Sequence, residues 1–296
     1  MDIVSSFSKK VNRISFSQIG WAILFLKMVM IGYFLIQLLA EFQRDGLVFD
    51  QMFFLFLLAG FIAQVIDGAL GMAYGVSCTT LLLNFGLSPK IASVSVHTAE
   101  IFTTGVSGLS HLKFKNIDKT LFFRIVFTGV LGAALGAYLL SDFLDGRIIR
   151  PYVSAYLLGL GIYILYKGIR NREAKKKAVK RAGLLALAGG LLDAIGGGGW
   201  GPIVTSNLIN QGQDPRRAIG TVNTAEFFVT YFATAIFIFY LGVQHWQILL
   251  GLIAGGVIAA PLGAFLASKI KKRVLSIIVG LLIILTSGYT ILLAWL

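Results

Sequence analysis

Long runs of apolar residues make up most of the chain, and short charged segments separate them. The runs cover residues 17–40, 52–86, 91–112, 120–141, 151–168, 182–211, 215–241, 246–268 and 274–295. Each run is long enough to cross the hydrocarbon core of a bilayer. Because lipid offers no partner for backbone N–H and C=O groups, the backbone must be helical there. The sequence therefore predicts an all-α polytopic membrane protein.

Composition and charge exclude several other classes of protein. The chain is 57% hydrophobic and 13% charged, whereas soluble domains are roughly half apolar and a quarter charged. The net charge of +13 comes mostly from basic residues between the apolar runs, where membrane topology places them. We therefore expect no nucleic-acid partner. The single cysteine, Cys78, cannot form an intramolecular disulfide.

Two of the runs, 52–86 and 182–211, are too long for one crossing and are interrupted near the middle. Polar and glycine residues fill both interruptions, at 67–71 and at 193–199. Glycine is a poor helix former, and non-helical backbone at membrane depth survives only inside protein or beside a cavity. Both runs are therefore predicted to be hairpins of broken helices.

An internal repeat relates the two halves of the chain. A constant spacing of 126 residues pairs Asp67 with Asp193, Gly71 with Gly197, Tyr74 with Trp200 and Thr79 with Thr205. The same spacing pairs residues 97–100, of sequence HTAE, with residues 223–226, of sequence NTAE. We divide the chain accordingly into an N-terminal segment (1–50) with the first membrane helix, repeat 1 (51–170), a basic linker (171–181) and repeat 2 (182–296).

Charge predicts the orientation of each repeat. Residues 167–181 hold eight lysines and arginines, so the positive-inside rule places this segment in the cytoplasm. Counting crossings in both directions puts the N-terminus inside and the C-terminus outside the plasma membrane. Repeat 1 then begins outside and repeat 2 begins inside. Two related halves of opposite topology form an inverted repeat, which is the architecture of many secondary transporters.

The two breaks are the predicted binding site for a small anion. Half-helix N-termini present free N–H groups and the positive end of a dipole, and glycine lets the backbone approach a ligand closely. The alternative is that these glycines only permit tight helix packing. The candidate binding residues are Gly71, Tyr74, Ser77, His97, Thr98, Gly196, Gly197, Gly198, Gly199, Trp200, Thr205, Asn223 and Thr224.

Four carboxyl groups inside the predicted membrane region are candidates for proton coupling: Asp67, Glu100, Asp193 and Glu226. Ionised carboxylates facing lipid are costly, so each should face protein or water. For the two aspartates, capping of a helix end is an equal alternative. We expect no metal, because His97 and Glu100 on one helix face are too few ligands and the second repeat replaces the histidine with Asn223.

A serine motif raises an enzymatic alternative. Residues 105–108, of sequence GVSG, match the GxSG string of intramembrane serine proteases, and His111 is nearby. Ser107 and His111 are four residues apart on one predicted helix, and Ala233 takes the serine position in repeat 2. We therefore expect no enzyme and no catalytic residues.

The glycine-rich break resembles a known family. Residues 189–202 (GGLLDAIGGGGWGP) and 60–68 (GFIAQVIDG) are similar to the sulfite exporter TauE/SafE family over about residues 52–295. Repeat 1 departs from the pattern, because ALGMA at 69–73 replaces the glycine run and Val76 aligns with Pro202. Repeat 2 should therefore contribute more of the site.

The resemblance implies a secondary transporter that exports sulfite or a small organosulfonate such as sulfoacetate. We add the expectation of proton coupling and of no cofactor. Its partners would be the anionic substrate and the lipid bilayer, and a homo-oligomer is compatible with the sequence. An anion channel, or a protease using Ser107, is the alternative function.

Overall fold

The computed structural model describes residues 14–45, 49–70, 72–170, 181–242, 246–269 and 272–295. Its helices are α1 (Phe16–Asp45), α2 (Gln51–Leu70), α3 (Tyr74–Asn84), α4 (Pro89–Lys113), α5 (Lys119–Tyr138), α6 (Gly146–Arg170), α7 (Ala182–Gly196), α8 (Ser206–Asn210), α9 (Pro215–Leu241), α10 (Trp246–Lys269) and α11 (Lys272–Trp295). Short π-helical segments at Leu139–Phe143 and Gly201–Thr205 follow α5 and precede α8. The described ranges contain no strand, which confirms the predicted fold class.

Within these ranges, five helical spans are long and apolar enough to cross a membrane. They are Phe16–Gln43, Lys119–Phe143, Gly146–Arg170, Pro215–Leu241 and Ser276–Leu293. Helix α4 has a comparable length, but serine, threonine, histidine and glutamate residues interrupt its apolar character. Many of these polar side chains are buried in the protein, which is where membrane proteins place their functional polar groups.

Both predicted breaks are present, and each lies a few residues later than the sequence pattern indicated. Helix α2 continues through Asp67 to Leu70, and α7 continues through Asp193 to Gly196. The chain leaves α7 at Gly197 (φ +66°), a left-handed conformation that favours glycine. Ala73 (φ 99°) precedes α3 in a similar way. Gly71, the remaining predicted member of the first break, lies outside the described residues.

The helix pairs follow the repeat. Helix α2 packs along α10, and their counterparts in the other repeat, α7 and α5, pack along each other. Further large contacts join α6 to its counterpart α11, α4 to its counterpart α9, and α5 to α9. The first four pairs are those that a twofold relation between the repeats would produce, whereas the α5–α9 contact is larger than its counterpart between α4 and α10. The opposite insertion of the two repeats stays a prediction.

Glycines bring the paired helices into backbone contact. A side-chain carbon at Gly132 would overlap the carbonyl of Leu187, and one at Gly190 would overlap the carbonyl of Gly129. The α2–α10 pair is equally close, because Gly60 faces the backbone of Leu252. Small residues of this kind let membrane helices approach without side chains between them, so these two pairs form a rigid frame for the breaks.

Candidate functional site

Each aspartate of the repeat caps the helix that follows its break. Asp67 Oδ1 accepts a hydrogen bond from the N–H of Tyr74 (3.3 Å), and Asp193 Oδ1 accepts one from the N–H of Trp200 (2.9 Å). Both bonds span seven residues, so the two repeats share this capping contact. A carboxylate at a helix N-terminus satisfies a free N–H and complements the dipole. One carboxylate oxygen of each aspartate therefore acts as a helix cap.

The two breaks touch each other through glycine backbones. A side-chain carbon at Gly75 would lie 2.9 Å from the Cα atom of Gly198 and 3.0 Å from Glu100 Oε1. One at Gly198 would overlap the backbone of Gly75 and Val76. The close-packing alternative therefore holds for Gly198. The contact brings the start of α3 in repeat 1 against the break of repeat 2.

Backbone donors at the start of α3 lie next to this contact. The N–H of Ser77 donates to the Ala73 carbonyl. The N–H groups of Gly75 and Val76 precede it in the first turn, where a helix has N–H groups that its own ladder does not use. Such groups form the usual anion-binding end of a helix. Among the described residues, the buried Ser77 and Thr205 hydroxyls have no hydrogen-bond partner.

The carboxyl groups of both repeats lie close together, and we call the region between them the chamber. Glu100 on α4 lies within electrostatic range of Asp193, Glu226 and Asp67, and Glu226 on α9 interacts with both aspartates. Glu100 and Asp193 are buried, whereas Asp67 and Glu226 are half-buried. The sequence predicted these four groups one by one, and the structure brings them together. Like charges this close inside a membrane repel strongly, unless protons or a cation neutralise them.

His97 joins the two repeats. Its Nδ1 atom donates to the Ser93 carbonyl (2.9 Å), and its Nε2 atom lies 3.2 Å from Asp193 Oδ2. Because a carbonyl only accepts, Nδ1 is the donor in the contact to Ser93, and Nε2 faces the carboxyl group of Asp193. The equivalent Asn223 donates instead to Ser107 Oγ (3.3 Å).

Three of these groups could hold a cation. The ligand atoms of His97, Glu100 and Asp193 all lie within 4.8 Å of one another, and all three residues are buried. The sequence argument counted only the histidine and the glutamate, because Asp193 is 96 residues away from His97. Three protein ligands are the number found in many open metal sites. The expectation of no metal stays a prediction.

Several predicted residues make their hydrogen bonds inside the protein. Trp200 is fully buried, and its indole N–H donates to the Val222 carbonyl (3.3 Å). Thr224 donates to the Gly220 carbonyl of its own helix (2.7 Å). The Tyr74 hydroxyl lies beside the Cys78 thiol and in electrostatic range of Glu100. Trp200 therefore forms a wall of the site, with its only donor already used.

The structure adds residues that sequence reasoning left out. Thr79 donates to the Gly197 carbonyl, Tyr156 to the Gly198 carbonyl (3.0 Å), and Ser93 to the Ala194 carbonyl (2.6 Å). All three are donors to backbone carbonyls around the second break. Only Thr79 left a sequence signal, as the repeat partner of Thr205. The other two have no polar counterpart, because Ile219 and, after a one-residue insertion in repeat 2, Ile283 stand at the equivalent positions.

A cavity of about 270 Å³ lies beside the first half of α4. Its walls include Lys90, Val94, Ser95, Thr98, Tyr240 and Leu249. Thr98 is the lining residue nearest in sequence to His97. At the equivalent place in repeat 2 the chain is packed: a side-chain carbon at Gly220 would overlap the Asn116 carbonyl, and the Asp118 N–H donates to Thr221 Oγ1 (2.9 Å).

No hydrogen bond joins Ser107 to His111, the pair named in the protease alternative, among the described residues. Ser107 accepts its hydrogen bond from Asn223, and the Nδ1 atom of His111 has no partner among the described residues. Both residues lie on α4, whereas a serine needs a base within hydrogen-bond reach. Ser107 therefore takes part in the contact between α4 and α9.

Broken helices that meet at buried carboxyl groups within an all-α membrane fold define a membrane transporter. The chain belongs to the sulfite exporter TauE/SafE family, whose model matches residues 56–290. The match leaves α1 outside, as the resemblance predicted. The chain is 43% identical over 249 residues to "Probable membrane transporter protein YtnM" of Bacillus subtilis (strain 168), which covers 81% of this chain and 83% of that protein. No solved structure shows a significant match.

Proposed function

We propose that this protein exports sulfite or a small organosulfonate across the plasma membrane, with protons as the coupling ion. One observation carries the proposal: Asp67, Glu100, Asp193 and Glu226 face one chamber beside the start of a half-helix. The family's description as sulfite exporters supports the substrate class.

The anion would bind at the α3 side of the contact between the breaks. The N–H groups of Gly75 and Val76 lie at the positive end of α3, which favours negative charge. The Ser77 hydroxyl belongs to the same turn and is buried without a partner among the described residues. Together these donors match the oxygen atoms of a sulfite or sulfonate group.

Protons follow from the charges that surround this place. An anion beside ionised carboxylates would be repelled strongly at membrane depth. Protons bound to the carboxyl groups remove that repulsion, so the anion and the protons would occupy the chamber together. Departure of the protons would then favour departure of the anion, which couples the two fluxes in the same direction. A dianion that carries one proton keeps a net negative charge, so the inside-negative membrane potential would drive its export.

Flux into proteoliposomes tests the proposal. We expect sulfite or sulfoacetate to enter these vesicles faster than it enters empty liposomes. Entry should rise when the outside is made more acidic than the lumen, and it should fall when a protonophore collapses that gradient. Flux that follows voltage and ignores the proton gradient would identify an anion channel instead. Flux no faster than in empty liposomes for every small sulfur oxyanion would contradict the substrate class.

The cavity predicts an accessibility difference between the two faces of the membrane. The positive-inside rule predicts that the open end of the cavity faces the outside of the cell. Val94→Cys should therefore react with a membrane-impermeant thiol reagent in intact cells. Thr221→Cys, at the packed equivalent site, should resist the same reagent in inverted vesicles. Cys78 is buried and supplies the background measurement. Equal labelling of both variants from the two sides would contradict this difference.

A further inference from the structure

The two breaks are fastened to the protein to different degrees. Helix α4 holds the second break at two adjacent points: Ser93 donates to the Ala194 carbonyl (2.6 Å), and His97 contacts Asp193 (3.2 Å). Ser93 and His97 are four residues apart and therefore share one helix face. The His97 ring also packs against Phe237 (5.7 Å between ring centroids), which fixes its orientation.

Two further donors hold the same break from other helices. Thr79 of α3 donates to the Gly197 carbonyl, and Tyr156 of α6 donates to the Gly198 carbonyl. The second break therefore has side-chain contacts from three helices over residues 193–198. A segment with this many buried hydrogen bonds opens rarely.

Among the described residues, the first break lacks the corresponding contacts from α9, although Ser206 Oγ lies 3.5 Å from Met72 Sδ. The counterparts of Ser93 and His97 are Ile219 and Asn223 on α9. Isoleucine has no donor, and Asn223 donates to Ser107 of α4. The hydrogen bond that the structure gives Asp67, within the described residues, is the cap on the N–H of Tyr74 in its own hairpin. No side chain of α9 in the described ranges takes the place of the His97 contact.

We propose that Ser93 and His97 are positioning residues that form a latch on Ala194 and Asp193, which makes the end of α7 the fixed half of the site and leaves the end of α2, with Asp67, as the half that moves during transport. The inference rests on the proposed transport function, because a carrier must rearrange one half of its site against the other. A hinge needs one element held and its partner free. Both aspartates cap the helix that follows them, but the contact from a neighbouring histidine is made to Asp193.

Amide hydrogen exchange of the wild-type protein tests the asymmetry directly. Peptides that cover residues 67–73 should exchange faster than peptides that cover 193–199. His97→Asn with Ser93→Ile, which gives α4 the residues that α9 carries at these positions, should raise exchange at 193–199 toward the value at 67–73. Equal or reversed protection in the wild-type protein would overturn the latch. This readout needs no substrate, so it remains decisive if the substrate class is wrong.

Installing the latch on the first break, through substitutions in α9, tests its consequence for transport. Ile219→Ser with Asn223→His should slow exchange at 67–73 and lower net flux by about tenfold, the factor of a 1.4 kcal/mol barrier. Substrate-induced thermal stabilisation should persist, which shows a folded and binding-competent protein. Ile219→Val keeps the shape without a donor and should transport like wild type. Wild-type flux in the double variant, together with slowed exchange at 67–73, would overturn the moving role of the first break.

Discussion

Glu226→Gln should abolish proton-driven accumulation of substrate while leaving the protein folded. Glutamine has nearly the shape of glutamate but cannot ionise, so the chamber loses one proton site. Glu226 is half-buried and lies within electrostatic range of Asp67 and Asp193, so its proton is coupled to the charge of both aspartates. We therefore expect the substitution to change how the cluster binds protons. Accumulation against a gradient should fall by about tenfold or more, which a coupling loss of 1.4 kcal/mol would produce.

Substrate exchange separates coupling from binding in this variant. Exchange of labelled for unlabelled substrate across the membrane needs no net proton movement, so Glu226→Gln should retain it. Asp142→Asn is the matched control, because it removes an exposed carboxylate outside the chamber, and it should accumulate substrate like wild type. Unchanged proton-driven accumulation in Glu226→Gln would exclude this residue from coupling.

The fold follows closely from the sequence, because lipid restricts the backbone to helices. The two overlong runs and the repeat were enough to predict both hairpins. The positions of the breaks were less accurate, since α2 continues past Asp67 and α7 past Asp193. The sequence shows where polar residues and glycines begin. It does not show that each aspartate reaches forward seven residues to cap the next helix, which depends on the folded loop.

The site was predicted as a set of residues and not as a set of contacts. His97 and Glu100 were grouped because they share a helix face, yet His97 contacts Asp193 of the other repeat. Ser93 and Tyr156 were missed because each donates to a backbone carbonyl. Every residue has a backbone carbonyl, so the sequence does not show which one accepts such a hydrogen bond. Contacts between repeats depend on how α4 packs against α7, which periodicity within one helix does not determine.

Gly198→Ala tests whether the contact between the two breaks is required for the structure. A methyl group at this position would overlap the backbone of Gly75 and lie 2.8 Å from the Cα atom of Val76. Backbone atoms cannot move aside as a flexible side chain does, so α3 and the second break must separate. Overpacking of this kind costs about 1–3 kcal/mol, and the separation also displaces the N–H groups proposed to bind the anion.

We expect Gly198→Ala to lower the melting temperature and to reduce flux by about tenfold or more, since 1.4 kcal/mol already gives a tenfold change. Gly159→Ala is the matched control, because Gly159 is an exposed helical glycine of α6 with no atom within 4 Å of an added carbon. That variant should be as stable as wild type or more stable by up to about 1 kcal/mol, through helix propensity. Thermal unfolding and flux of both variants provide the measurement. If Gly198→Ala unfolds and transports like Gly159→Ala, the two breaks do not meet through their glycine backbones, and the anion site between them must be placed elsewhere.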